Sequence, residues 1–223
     1  MNKIFIYKSI WAFILVVLLF LNSCIGISMD IQMRKDGSGK AVIEYTVSNM
    51  AETIGRLDGN EKWHIIPAGR ADWERTAARI PGMKLASYSS RENSRNNARV
   101  ITVTVEFANT DALVKFIDAS GAKVSISREN QSNKLGIILN EPTHEEIDAD
   151  LLDLFKQISA SFTISISFSS GANSTLTVTD GAGNEIQASS VMRLVSSGRK
   201  VSFAINTAEA ATMKNGIGVG ITW

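Results

Sequence analysis

The chain has 223 residues, of which 44% are hydrophobic and 20% charged, with a formal charge of +1. That balance lacks the basic excess expected of a nucleic-acid binder. A single cysteine leaves no internal disulfide open to the chain, so its fold must rest on core packing.

The opening has the parts of an export signal. Lys3 and Lys8 form a short basic region, and an apolar run from Ile10 to Leu21 ends at Asn22-Ser23-Cys24. The competing reading is a transmembrane helix, since the run approaches the ~20 residues that cross a bilayer. A polar pair before the cysteine, and the lack of a following Lys/Arg cluster, speak against it. Leu21-Asn22-Ser23-Cys24 resembles the bacterial lipobox. The resemblance implies cleavage after residue 23, a diacylglycerol on the Cys24 thiol and an acyl chain such as palmitate on its amine. Two or three chains, at ~0.8 kcal/mol per buried methylene, make a durable anchor. The expected mature chain runs from Cys24 to Trp223; loss of Lys3 and Lys8 leaves it a formal charge near minus one. No Gly/Ser or Pro linker follows Cys24, so the domain is expected close to the membrane, on its extracytoplasmic side. Ile25 after the cysteine would, by the best-known Gram-negative sorting rule, permit passage to the outer membrane; that rule varies among bacteria, so the expected location is the cell membrane or the outer membrane.

Period two dominates the rest. Ile27, Met29, Ile31 and Met33 alternate with polar residues, the loop 35–39 turns the chain, and Ala41, Ile43, Tyr45 and Val47 alternate again: a hairpin with one wet face. A short helix is expected over 50–57 and a better one over 71–80, stopped by Pro81-Gly82. A second hairpin spans 83–91 and 99–107, and Thr110 is expected to cap a helix over 111–119. A third hairpin spans 122–128 and 134–140. Thr143 and Glu146, at capping-box spacing, open a helix whose Ile147, Leu151, Leu154, Phe155 and Ile158 share one face. Beyond Ser159 come Ser/Thr-rich alternating strands over 162–168, 175–179 and 201–205, and a tail, 216–223, with one apolar and one nearly bare side.

These elements predict an α+β fold of repeated β-hairpin/helix units, with helices packed on one face of a mostly antiparallel sheet and a Ser/Thr-rich β region at the C-terminus. The expected organisation is a signal peptide over 1–23, an α+β domain over 24–160, and a β-rich region over 161–223 within the same globular unit. The lipobox, the alternating strand after it and the Asp36-Gly37-Ser38-Gly39 turn resemble the LppM-like bacterial lipoproteins, specifically over residues 18 to 48 and diffusely to about residue 170. That resemblance implies an α/β domain with a suggested role in binding envelope lipids or glycolipids, and it transfers no catalytic residue.

The search for chemistry is mostly negative. His64 and His144 are the only histidines, and no spacing suggests zinc or a Cys-His nucleophile. Gly37-Ser38-Gly39-Lys40 lacks the earlier glycine and the following helix of a phosphate loop, and reads as a hairpin turn. No serine stands in Gly-x-Ser-x-Gly. No enzyme, cofactor, metal or nucleic-acid partner is expected. The ligand-binding candidates are Met29, Met33 and Met83, with Met192, whose flexible thioethers suit an amphiphile or fill core gaps, and the aromatic residues Trp63, Trp73 and Trp223. Two functions result: a lipid-anchored module that binds a lipid, glycolipid or other amphiphile without catalysis, or an interaction lipoprotein that contacts an envelope protein or host surface and has no pocket.

Overall fold

The computed structural model describes residues 25–48, 69–94, 98–119, 123–129, 132–140, 159–169, 174–180, 182–187, 192–206, 210, 213 and 216–223. Among these residues, eleven strands form two sheets. The larger has seven strands in the order β3-β4-β2-β1-β7-β10-β9, built from β1 (Ile25–Met33), β2 (Gly39–Ser48), β3 (Met83–Asn93), β4 (Ala98–Phe107), β7 (Ser159–Phe168), β9 (Met192–Ser197) and β10 (Lys200–Asn206). The smaller has four, β5-β6-β11-β8, from β5 (Lys123–Glu129), β6 (Ser132–Asn140), β8 (Thr175–Thr179) and β11 (Ile217–Thr222). Helices α1 (Arg70–Ala78) and α2 (Thr110–Ala119) each follow a hairpin.

Alternation sets the faces. Met29, Ile31 and Met33 of β1, Ile43 and Tyr45 of β2, Val103 and Val105 of β4, Ile164 and Ile166 of β7, and Val201 and Phe203 of β10 are all buried. Their neighbours in sequence, such as Ser28, Glu44, Thr102, Thr163 and Ser202, form the opposite, polar face. The smaller sheet buries Leu135, Ile137, Val178, Ile217, Val219 and Ile221, and these belong to the same apolar cluster as the inner face of the larger sheet. Phe168 and Trp223 stack across the two sheets, ring centroids 5.0 Å apart. Ser174 ties the start of β8 to the β9–β10 turn: its hydroxyl donates to the Gly198 carbonyl at 2.7 Å, and its carbonyl accepts from the Ser196 hydroxyl.

The described residues form a β-rich fold of two sheets and two helices, in place of a single sheet of repeated hairpin-helix units. The third hairpin does not extend the first sheet. It joins β8 and β11 instead, while β7 takes the place beside β1 in a parallel pair and every other strand pair is antiparallel. The physical reason lies in area: seven strands present a wide apolar face, and side chains of the second sheet join the same apolar cluster. The stretches 24–160 and 161–223 therefore share both sheets. The helices expected over 50–57 and 143–158 lie outside the described residues.

Both described helices begin on identifiable caps. The Gly69 backbone N–H donates to Asp72 Oδ2, three residues on. For α2 the cap is Asn109, not Thr110: Asn109 Oδ1 accepts the Ala112 N–H at 2.9 Å. Asn and Thr are both good caps, so the error was one of register by a single residue.

Candidate functional site

The sequence-expected residues separate into three groups. Met29, Met33, Met83 and Met192 are buried, at 8%, 3%, 9% and 1% exposure, and all four belong to the apolar cluster. Trp73, on α1, is 5% exposed; its indole N–H donates to the Tyr45 hydroxyl at 3.1 Å, and its ring lies against Tyr45 and Phe116. The pair fixes α1 against β2 and α2. Removal from water pushes the Tyr45 phenol up to about 12, partly offset by the hydrogen bond from Trp73. Trp63, Cys24, His64 and His144 lie outside the described residues.

One open cleft of about 510 Å³ lies at the end of the larger sheet where β1 turns into β2. Met33 and Phe168 supply its apolar floor; Gln32, Arg34, Lys40 and Glu106 stand around it. Met33 is thus the one expected ligand-binding residue among those described that borders it. The β1–β2 turn that shapes the rim is tightly tied. Asp36 Oδ1 accepts from the Ser38 N–H at 3.0 Å and the Ser38 hydroxyl at 2.7 Å, and Arg34 Nη1 donates to that hydroxyl. Those hydrogen bonds hold the Asp36 carboxyl below the usual carboxylate range. Gly37 takes φ 82, a left-handed conformation that favours glycine.

Strand register lines up the polar face at this end. Lys84 of β3 stands opposite Glu106, Glu106 opposite Lys40, Lys40 opposite Gln32, Gln32 opposite Ser167, and Ser167 opposite Lys200. Arg34 and Lys35 extend the charge at one turn and Arg199 at another, where its Nη1 donates to the Ser169 carbonyl. The residue-by-residue reading of the sequence missed this row, because its members lie on six strands and meet only through register. The signal available was the polar parity of each strand; the missing information was the strand order.

No protein-family model matches the chain, and no curated protein matches it. Among solved structures, the folded domain of LppM from Mycobacterium tuberculosis, determined by NMR, is similar at 11% identity and a TM-score of 0.38, over 82% of this chain and 90% of that one. A crystal structure from Parabacteroides distasonis, described as that of a candidate protease, is similar at 9% identity and a TM-score of 0.36, over 89% of this chain but 39% of that one. At such low TM-scores neither likeness assigns a family or an activity.

Proposed function

We propose that the protein is a lipid-anchored component of the bacterial cell envelope, whose extracytoplasmic domain works by binding and not by catalysis. The observation that carries this reading is the junction of sequence and fold. The lipobox cysteine, Cys24, is followed without a linker by β1, an inner strand of the larger sheet. A lipid on Cys24 would hold the sheet directly at the bilayer surface. Labelling of the full-length protein in cells with a palmitate analogue, followed by fractionation, tests it: label and membrane association are expected for the native chain, and both should be lost in Cys24→Ala. A labelled Cys24→Ala protein, or an unlabelled native one, would refute the anchor.

An amphiphile as ligand is supported by the cleft, which pairs the apolar floor of Met33 and Phe168 with the charged groups Arg34, Lys40 and Glu106. Native mass spectrometry with organic extraction is the test. A co-purifying lipid or glycolipid supports the reading, and a clean apo mass that takes up no added lipid turns the search to an envelope protein or host surface.

A further inference from the structure

We infer that the row of cations across the polar face of the larger sheet is a docking surface for a linear acidic polysaccharide lying across the strands. Lys84, Lys40 and Lys200 are exposed and occupy one row on β3, β2 and β10. With strands about 4.8 Å apart, Lys84 and Lys40 are separated by about 10 Å and Lys40 and Lys200 by about 14 Å. No ion pair is formed by these three among the described residues. At the same end Arg34, Lys35 and Arg199 add positive charge. Glu106, which stands in the row between Lys84 and Lys40, opposes it, as do Asp36 at the turn and Asp30, two residues before Gln32 on the same face; Asp111, at the start of α2, is already paired with Lys115 at 2.8 Å. In a chain whose total charge is +1, six cations against three carboxylates is a local excess of positive charge.

The spacing selects the partner. A single phosphate or carboxylate is held by donors that converge on a point, whereas these are set out along a line. A polymer with repeated negative charges meets them one after another. The rest of the face is hydroxyl-rich, with Ser165 and Ser202 hydrogen-bonded at 2.9 Å beside Thr163, and with Thr102 and Thr104 on β4, where the Thr102 hydroxyl donates to Glu44 at 3.3 Å; such hydroxyls suit those of a glycan. No aromatic side chain stands on the polar parity of the seven strands, so the stacking platform that single-stranded nucleic acid uses is missing among the described residues. The inference rests on the extracytoplasmic placement proposed above, since that is where such a polymer would be met. The end of β1 that bears the row is also the end remote from Cys24, about 30 Å along a nine-residue strand.

The test uses the full-length protein in detergent and immobilised polygalacturonate, with dextran, single-stranded DNA and phosphatidylglycerol vesicles as competitors. Saturable binding to polygalacturonate that weakens with salt is expected, with competition by neither dextran nor the vesicles. The triple variant Lys40→Gln, Lys84→Gln, Lys200→Gln should bind about tenfold more weakly, as three exposed charge contacts would give. A control removing Arg91, Lys123 and Lys134 in the same way should change binding less than twofold. All six side chains are exposed, and unchanged denaturation midpoints would show that the variants fold. Absence of polygalacturonate binding, or an equal loss in both triple variants, overturns the proposal. Tighter binding to DNA or to the vesicles assigns the row to another partner and overturns it as well. The measurement is made on purified protein with or without lipid on Cys24, so failure of the anchor and failure of the docking surface are read separately.

Discussion

The two sheets use the same alternation for one purpose and different residues for another. Both present an apolar inner face to a shared cluster. Their outer faces differ: the larger sheet carries Ser, Thr and charged side chains, while the smaller is nearly bare where Gly136, Gly220 and Thr177 stand in one row. Inner faces are fixed by the need to bury area, so the two agree. Outer faces answer to whatever lies beyond them, and there the sheets diverge.

The largest expected effect tests whether the inner faces are one core. Phe203→Ala in the larger sheet and Ile221→Ala in the smaller remove side chains that are 0% and 1% exposed. Each should cost about 3–5 kcal/mol. Urea denaturation followed by tryptophan fluorescence and by circular dichroism should shift as a single transition in both variants; two separable transitions would break the picture of a common core.

Glycine substitutions sharpen the contrast between tight and open positions. A Cβ on Gly39, in the larger sheet, would lie 2.1 Å from the Gln32 carbonyl oxygen and 2.6 Å from the Phe107 ring. Neither can retreat easily, so Gly39→Ala is expected to cost about 3 kcal/mol, the upper end for overpacking.

Tyr45 supplies a test in alkali. Its phenol is raised in the folded state to about 12 from an ordinary 10.0, so the fold holds the proton more tightly than the unfolded chain does. The stabilisation is fully present below pH 10 and is lost as pH rises towards 12. A fall of about 2–3 kcal/mol is expected across that window, from 1.36 kcal/mol per pKa unit. Tyr45→Phe should abolish this part of the pH dependence, and at neutral pH should cost about 1–3 kcal/mol, because the Trp73 N–H loses this acceptor inside the core. An unchanged alkaline slope would show that another group titrates.

The smallest effect is expected at Gly220. Its added Cβ would crowd the Thr177 hydroxyl, 2.8 Å away, and touch the Thr177 carbonyl oxygen at an ordinary 3.9 Å. A small shift of that side chain, set against the lower entropy of the unfolded alanine chain, should leave the stability within about 0.5 kcal/mol of the parent. A loss as large as that at Gly39 would mean that the bare face is closely covered.

Local structure was legible in the sequence wherever alternation was strict. Ile27 to Met33 and Ala41 to Val47 gave β1 and β2 because each strand carries its own face pattern, and Pro81-Gly82 marked the end of α1 because proline cannot continue it. Strand β9 was missed: Met192 and Leu194 face inward, but exposed Val195 breaks the contrast with its polar neighbours. The assortment of hairpins into two sheets was not legible at all. Nothing in Lys134 to Asn140 says that its neighbour will be Ile217 to Thr222 and not an element of the first sheet, since partner choice depends on surfaces formed elsewhere. Among the candidate site residues the same limit applied. Burial of the methionines follows from strand parity, whereas the lysine row needs the strand order.

The parallel pairing of β1 with β7 bears on how the chain reaches this structure. Ile31 stands opposite Ile166, well over a hundred residues later, and no local turn can bring the two together. Hairpins β1–β2 and β3–β4 can form early because their loops are short, but closing the long loop costs entropy before any pairing rewards it. Until β7 arrives, β1 offers an unpaired edge with apolar side chains behind it, the kind of template on which strands of other chains assemble. Folding should therefore be slow, in the millisecond-to-second range of sheets dominated by distant contacts, and its vulnerable species is a half-sheet waiting for its central partner.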